Sequence, residues 1–344
     1  MGAITGFLSN YSGNVQAAFA LWPAFSLVLT LPILAYLYHR DGRLRASSAL
    51  SAYLAVLYLL GIGCFTLWPL PEGTSGPGIT YGIEPNFNLL GFVDNIREDG
   101  LRAIFELLFN VVFFMPLGFI AGRFLRLRLG TTLLLSFLVS LLVETAQLTG
   151  IFGMYPYAFR CFDVDDLATN TLGGVIGWLA ALGFGRMLPE KDGPITVDRH
   201  PGFVRRCVAL WIDLLLIGAA TVVVWSVAAG LQMLIAGMAL PDTVLLADPD
   251  IARDAVAWVV FLTPAALFLV MEVAVPWFRG GRTPGGSFVH MTCEDHPRPT
   301  GRRVAFYAAR TLCLASLFVV PWFTVPFLAV FYLVARRMPY DLIP

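Results

Sequence analysis

The chain has 344 residues, is 58% hydrophobic and carries only 13% charged residues, whereas an ordinary soluble domain carries roughly 25%. Its formal net charge is zero, so nothing in the charge balance indicates a nucleic-acid partner. The five cysteines are scattered and form no CxxC pair, so neither a zinc ribbon nor a disulfide framework is supported. This composition predicts an all-α, polytopic membrane protein, and we find no cofactor-binding motif.

Seven apolar stretches are long enough to cross a bilayer, which takes about 20 mostly apolar residues. They lie at 17–38, 49–69, 103–122, 131–149, 167–188, 207–235 and 253–277. An eighth apolar region, 304–335, is too long for one upright span. The PWFTVP run at 321–326 favours a break into a helical hairpin, because proline interrupts helices. One tilted span is the alternative.

The polar segment PEKDGPITVDRHPG, at 189–202, contains three prolines and two glycines and is typical of a linker. It divides the chain into a five-helix first domain, 1–188, and a second domain of three to four spans, 203–344. The two halves show no internal repeat, so an inverted-repeat transporter is not favoured.

Arginine is concentrated in alternate loops. The loops after the first and third spans, the linker and the 279–303 stretch are rich in arginine, whereas the loops 70–101, 150–165 and 238–252 are acidic or neutral. Because basic loops remain in the cytoplasm, we expect the N-terminus outside and the C-terminus in the cytoplasm. Two groups of polar residues then lie at opposite faces of the membrane.

The first group lies near the outer ends of the third, fourth and fifth spans. Polar side chains are paired there at helical spacing, at Glu106 and Asn110, at Glu144 and Gln147, and at Asp166 and Asn170. Arg160 and Asp163 lie in the short loop before the fifth span. Because ionisable groups inside a membrane are costly and commonly functional, we predict a shared outward-facing pocket. Arg160 is the expected partner of Glu144, directly or through a bound anion.

Structural roles are alternatives for several of these residues. Asp163 or Asp165 can cap the fifth span, and Asn110 and Asn170 can hold neighbouring helices together. The GxxxG spacing of the fifth span favours close helix packing. The run that ends at Asp166 lacks the loop glycine and the terminal glutamate of an EF-hand, so we predict no metal site.

The motifs NVVFFMPLGFIAG, ETAQL and RCFDVDDLATNTLGGVIG follow one another in the first domain. This ordered series resembles the signature of the VanZ-like family and covers roughly residues 20–188. The matching positions are Asn110, Pro116, Gly118, Glu144, Gln147, Arg160, Asp163, Asp166, Asn170, Gly173 and Gly177. The resemblance implies a bacterial plasma-membrane protein of poorly defined biochemistry. The namesake of the family is associated with low-level resistance to the lipoglycopeptide antibiotic teicoplanin.

The second polar group lies near the inner face of the second domain. Its members are Arg206, Asp213, Glu272, Arg310 and Asp341. Arg206 and Asp213 are seven residues apart, which places them on one helix face and about 10 Å apart along the axis. We expect the acids and arginines to meet and neutralise each other in a structural ion-pair cluster. Ion or proton handling is the alternative.

Three motifs of the second domain, RRCVALWID, GGRTPGGSFVHM and RRMPYDLIP, resemble the RDD family over about residues 200–344. The matching positions are Arg206, Asp213, Thr283, Pro284, Gly285 and Asp341. The resemblance departs from the family at Tyr340, where a histidine is usual, and at Pro344, where the usual Gly-Thr does not follow. It implies a bacterial membrane protein, with transport suggested for some family members.

Three functions fit these residues. The first is binding, without chemistry, of an envelope lipid, a glycan or a lipophilic glycopeptide antibiotic in the outer pocket, where Arg160 holds an anionic group. The second is an intramembrane enzyme that acts on lipid-linked substrates with Glu144 or Asp166 as general base. The third is a transport route for ions or small molecules through both domains. Binding is the first choice because no nucleophile is evident, and membrane lipids are the expected partners.

Overall fold

The computed structural model describes residues 12–67, 85–89, 91–155, 161–188, 194–237 and 249–344. Arg160, residues 189–193 of the predicted linker and most of the 238–252 loop lie outside the described residues. Within the described ranges the regular structure is helical, apart from two isolated bridges between extended segments. The predicted all-α membrane fold is confirmed.

The described residues of the first half form five long helices and one short helix, and a four-residue turn, Gly150–Gly153, follows the fourth long helix. The helices are α1 (Ser12–Asp41), α2 (Ala46–Leu67), α3 (Gly91–Asp99), α4 (Leu101–Phe119), α5 (Leu129–Leu148) and α6 (Val164–Met187). A π-helical turn, Ile120–Phe124, continues α4. The five long helices are long and apolar enough to cross a membrane. The short helix α3 lies in the segment 70–101, which the sequence analysis treated only as an outer loop.

The second half contains α7 (Phe203–Gly237), α8 (Pro249–Leu269), α9 (Pro284–Phe288), α10 (Thr300–Val319) and α11 (Pro321–Ala335). A π-helical turn, Val270–Ala274, and a last helical turn, Val275–Phe278, extend α8. A 3-10 turn, Pro339–Leu342, follows α11. With α7 and the extended α8, the described residues contain seven helices that are long and apolar enough to cross a membrane.

The eighth apolar region forms two helices. α10 ends at Val319 and α11 begins at Pro321, so the chain breaks at the first predicted proline, whereas Pro326 lies inside α11. Tyr340, beyond the end of α11, packs edge-on against Phe306, near the start of α10, with ring centroids 5.7 Å apart. Because the chain returns to the start of α10, these helices form the predicted hairpin, and a single tilted span is not observed.

Contacts divide the chain into two units. The first unit comprises Met1–Leu29 and Leu50–Asp192, and the second comprises Thr30–Ala49 and Gly193–Pro344. The end of α1 and the start of α2 therefore belong to the second unit, where Tyr38 packs in one cluster with Val208 and Met291. The boundary predicted at 189–202 had assigned these parts of α1 and α2 to the first domain.

Helix α6 approaches α4 closely because its glycines face the α4 backbone. A Cβ atom built on Gly177 would lie 1.9 Å from the Met115 carbonyl oxygen, and one built on Gly173 would lie 2.2 Å from the Val111 carbonyl oxygen. Any side chain at these positions would force the helices apart. The predicted close packing is confirmed, and it brings the polar first turns of α6 next to those of α4.

Candidate functional site

A cavity of about 350 Å³ lies in the first unit, where α4 and α6 begin and α5 ends. Its lining includes seven of the eight residues predicted for the outer pocket, which are Glu106, Asn110, Glu144, Gln147, Asp163, Asp166 and Asn170. The eighth, Arg160, lies outside the described residues. The structure thus brings the polar pairs of three helices to one cavity.

Two aspartates organise the start of α6. Asp163 is the N-cap residue of α6, and its Oδ1 accepts a hydrogen bond from the backbone N–H of Asp165 at 2.9 Å. Its Oδ2 accepts from Asn86 Nδ2 at 3.3 Å. Asp165 Oδ2 accepts from the backbone N–H of Phe92, in the first turn of α3, at 2.7 Å. The predicted capping role is therefore confirmed for Asp163, while Asp165 holds α3 against the start of α6.

Two asparagines join the helices around the cavity through their amide nitrogens. Asn110 Nδ2 donates to Asp166 Oδ1 at 2.6 Å and links α4 to α6. Asn170 Nδ2 donates to Ser140 Oγ at 2.9 Å and links α6 to α5. The predicted role in holding helices together is confirmed for both residues. The amide oxygen of Asn170 is buried and accepts no hydrogen bond from the described residues.

Glu144 and Gln147 are deeply buried, with 3% and 1% of their surfaces exposed. Glu144 Oε2 accepts a hydrogen bond from the backbone N–H of Asp163 at 3.1 Å and so ties α5 to the start of α6. Gln147 Nε2 donates to the carbonyl oxygen of Thr66, at the end of α2, at 2.8 Å. Gln147 Oε1 has no hydrogen-bond partner among the described residues. A buried acceptor without a partner costs about 1–3 kcal/mol, so a donor in the cavity would stabilise this arrangement.

The described lining residues that carry charge are all acidic, and they are Asp99, Glu106, Glu144, Asp163, Asp165 and Asp166. Glu106 forms an exposed ion pair with Arg102 at 3.2 Å along α4, so it lies at the rim. In the part of the chain that the structure describes, no three His, Cys, Asp or Glu side chains are grouped to hold a metal ion. Because carboxylate and amide oxygens accept hydrogen bonds, the cavity suits a ligand rich in hydroxyl or amino donors.

Helix α3 and the segment before it also contribute to the cavity, which was not predicted from the sequence. Phe92, Asn95 and Asp99 of α3 line the cavity. Asn86 forms an isolated parallel bridge with Asp163, which anchors this segment beside the start of α6. The apolar residues of GFVDNIRED recur at helical spacing, and this pattern is the signal that indicates α3.

Two buried ion pairs hold the second unit together. Arg310 Nη2 lies 2.5 Å from Glu272 Oε2, and Nη1 donates to the backbone carbonyl oxygen of Glu272 at 2.7 Å. Arg206 Nη2 lies 2.8 Å from Asp341 Oδ2. Both arginines thus pair with acids of the predicted inner group, Arg310 with Glu272 and Arg206 with Asp341, in two separate ion pairs. Two helical turns, about 10 Å, separate Arg206 from Asp213 along α7, too far for direct contact along the helix.

Asp213 is 1% exposed and contacts the short helix α9. Its Oδ1 accepts a hydrogen bond from the backbone N–H of Gly285 at 2.6 Å. Thr283, the N-cap residue of α9, accepts from the backbone N–H of Gly286 at 2.9 Å. A Cβ atom built on Gly285 would lie 2.1 Å from the Ala209 carbonyl oxygen, so only glycine allows α9 to pack this closely on α7.

These features define an all-α, multi-pass membrane protein with a polar cavity in its first unit and buried ion pairs in its second. Residues 55–185 match the VanZ/LLP1 family and residues 200–343 match the RDD family. The chain therefore joins a VanZ-like region to an RDD-family region, as the two resemblances predicted, although the VanZ match begins later than residue 20. Together the families indicate a membrane protein of the cell envelope. No curated protein and no solved structure matches the chain.

Proposed function

We propose that the cavity of the VanZ-like unit binds the sugar-bearing part of an envelope lipid, a glycan or a lipophilic glycopeptide antibiotic, without converting it. The observation that carries this proposal is the pair of buried amide oxygens, Gln147 Oε1 and Asn170 Oδ1, which have no partner among the described residues. Both side chains line the cavity. Sugar hydroxyl and amino groups supply the donors that these oxygens lack.

The remaining lining supports the same class of ligand. The carboxylates of Glu144 and Asp166 face this cavity, and carboxylates accept hydrogen bonds at several positions. Phe109 and Phe113 stack with ring centroids 5.4 Å apart, and Phe65 lies 5.4 Å from Phe113. These three rings give the cavity an apolar wall, which suits the apolar part of a lipid-linked ligand.

The distribution of arginine supports an outward-facing cavity in a bacterial plasma membrane. Arg123, Arg126 and Arg186 lie together at the end of the first unit that is remote from the start of α4. In an orientation that keeps basic residues in the cytoplasm, the cavity opens to the outer face. The N-terminus then lies outside and the C-terminus in the cytoplasm, and envelope glycolipids can reach the cavity from the outer leaflet.

The test is native mass spectrometry of the full-length protein, purified from bacterial membranes in a detergent that contains no sugar. Wild type is compared with Glu144→Ala and Asn170→Ala. The matched control is Asn14→Ala, since Asn14 is similarly buried, at 6% exposure, and does not line the cavity. We expect a sugar-bearing adduct on wild type and on the control that is lost from both cavity variants. An adduct on none of the four proteins, or on all of them, contradicts the proposal.

A second comparison distinguishes recognition of the sugar from binding of the alkyl chain of the ligand. Octyl glucoside and octyl tetraoxyethylene share an eight-carbon chain and differ in the head group. We expect wild type to bind the glucoside selectively, and Asn170→Ala to bind it about five- to ten-fold more weakly, the loss of about one hydrogen bond. Equal binding of both detergents by wild type contradicts recognition of the sugar.

Arg160 is tested separately, because its expected partner is an anionic group. We expect Arg160→Ala to lose only those adducts that carry phosphate or carboxylate, since arginine forms charge-assisted bonds with these groups. Retention of every anionic adduct by this variant contradicts the role predicted for Arg160.

A further inference from the structure

A second cavity, of about 270 Å³, lies within the RDD-family unit, and the proposed function does not use it. Apolar side chains from three helices line it, among them Leu214 of α7, Leu317 of α10 and Leu328 of α11. Two deeply buried charged residues, Asp213 and Arg310, line the same space. Mostly apolar walls with a few polar groups are typical of small-molecule sites.

The two arginines that line this cavity already have acidic partners. Arg310 pairs with Glu272 at 2.5 Å, and Arg206, which also lines the cavity, pairs with Asp341 at 2.8 Å. An anionic head group would meet the carboxylate of Asp213, and a cationic one would meet Arg310. Either would also lose its hydration on entering, which costs free energy unless a new ion pair forms. The charge balance therefore favours an uncharged head group.

Hydrogen bonding narrows the chemistry of that head group further. The Nε–H of Arg310 is buried and has no hydrogen-bond partner among the described residues. Asp213 supplies carboxylate oxygens, of which Oδ1 accepts from the backbone N–H of Gly285. A hydroxyl group both accepts and donates, whereas a carbonyl group only accepts. A hydroxyl can therefore meet either need, as an acceptor for Arg310 or as a donor to Asp213.

The size of the cavity limits the occupant. Its volume corresponds to that of about nine molecules of liquid water, at about 30 Å³ each, which accommodates a head group and the first part of one chain. We propose that this cavity binds a hydroxyl-headed, single-chain apolar molecule from the bilayer, such as a long-chain alcohol or a prenol.

The test uses a photoreactive analogue of decan-1-ol that carries a diazirine on its chain. The full-length protein in lipid nanodiscs is irradiated with this probe, and the labelled peptides are identified by mass spectrometry. Decan-1-ol, decanoate and decyltrimethylammonium serve as competitors, since they share the ten-carbon chain and differ in head-group charge. We expect labelling of α7, α10 or α11 that excess decan-1-ol reduces about five-fold or more, with little effect of the charged competitors. Labelling elsewhere, or equal competition by all three, overturns the proposal.

A matched pair of variants locates the site. Leu317→Trp fills the cavity, whereas Leu312→Trp makes the same substitution on the same helix at a side chain that is 71% exposed. We expect labelling to disappear in Leu317→Trp and to persist in Leu312→Trp. Persistent labelling in Leu317→Trp overturns the proposal. If Leu317→Trp does not fold, the competition series on wild type still tests whether the cavity prefers a hydroxyl head group.

Discussion

Several acids of the two units are held by different kinds of partner. In the VanZ-like unit, Asp163 and Asp165 accept hydrogen bonds from backbone and amide N–H groups at 2.7–3.3 Å. In the RDD-family unit, Glu272 and Asp341 pair with arginines at 2.5 and 2.8 Å. Neutral donors fix the position of a carboxylate and leave its charge, whereas an arginine also neutralises it. Asp213 of the second unit is also held by a backbone N–H, that of Gly285, and it too lines a cavity. An acid with neutral donors therefore marks a cavity that can receive a donor, whereas an acid paired with arginine belongs to an ion pair that closes on itself.

The largest expected effect tests this contrast directly. Glu272→Gln leaves Arg310 buried without an ionised partner, so we expect the free energy of unfolding to fall by about 3–5 kcal/mol. Asp165→Asn keeps an oxygen that can accept from the backbone N–H of Phe92, and we expect a loss of about 1 kcal/mol or less. Reversible unfolding in mixed micelles measures both variants.

The control for this comparison removes both charges of the buried pair. Glu272→Met combined with Arg310→Met is expected to unfold close to wild type, because apolar replacement of a whole buried pair is commonly neutral or stabilising. Equal losses for Glu272→Gln and Asp165→Asn would show that the two units do not differ in the way their acids are held.

The second prediction concerns the packing that positions the acceptors of the first unit. Gly177→Ala would place a methyl group 1.9 Å from the Met115 carbonyl oxygen, so we expect a loss of about 1–3 kcal/mol and weaker binding of octyl glucoside. Gly183→Ala lies on the same helix with nothing within 4 Å of the added carbon. We expect this control to be neutral or stabilised by up to about 1 kcal/mol. Similar unfolding free energies for the two variants would contradict the close contact of α4 and α6.

Local sequence signals predicted the arrangement of the first unit well and that of the second less well. The glycine spacing of α6 and the polar pairs on three helices depend on helical periodicity, which is readable over a few turns. The packing of α3 against the start of α6 depends on Asp165, which accepts from the backbone N–H of Phe92 across 73 positions of the chain. The pairing of Arg206 with Asp341 spans 135 positions. Neither contact leaves a periodic pattern in the sequence, because each depends on how distant segments pack.

The third prediction separates structural from ligand-binding roles at the first cavity. Asn170→Ala removes both the amide donor and the buried amide oxygen, whereas Ser140→Ala removes only the acceptor of the bond between them. We expect both variants to lose about 0.5–1.5 kcal/mol of stability. Only Asn170→Ala should lose binding of octyl glucoside, measured by native mass spectrometry. Equal loss of binding in both variants would assign Asn170 a purely structural role.

The smallest expected effect concerns an ion pair of the second unit that lies outside the membrane-spanning helices. Asp295 lies 2.8 Å from Arg298, and also 2.8 Å from His296, in the loop before α10. Partial burial favours the neutral acid, but the hydrogen bond and charge of Arg298 outweigh it and hold the pKa of Asp295 below its usual value. Because the folded-state pKa is the lower one, the stabilisation is complete above the unfolded pKa of about 3.9 and is lost as pH falls through the folded-state pKa.

Asp295→Asn should therefore cost about 1 kcal/mol at pH 7, because the Asp295 side chain keeps some contact with water even though Arg298 is buried. The cost should become progressively smaller as the pH falls below about 4. The measurement is the difference in unfolding free energy between wild type and variant at each pH, in which titrations elsewhere in the protein cancel. A difference that stays constant from pH 7 to pH 3 would mean that the carboxylate charge contributes nothing, and that the shape of the side chain alone holds this loop. A cost near that of Glu272→Gln would mean that burial does not set the strength of these pairs, which removes the physical basis for the contrast between the two units.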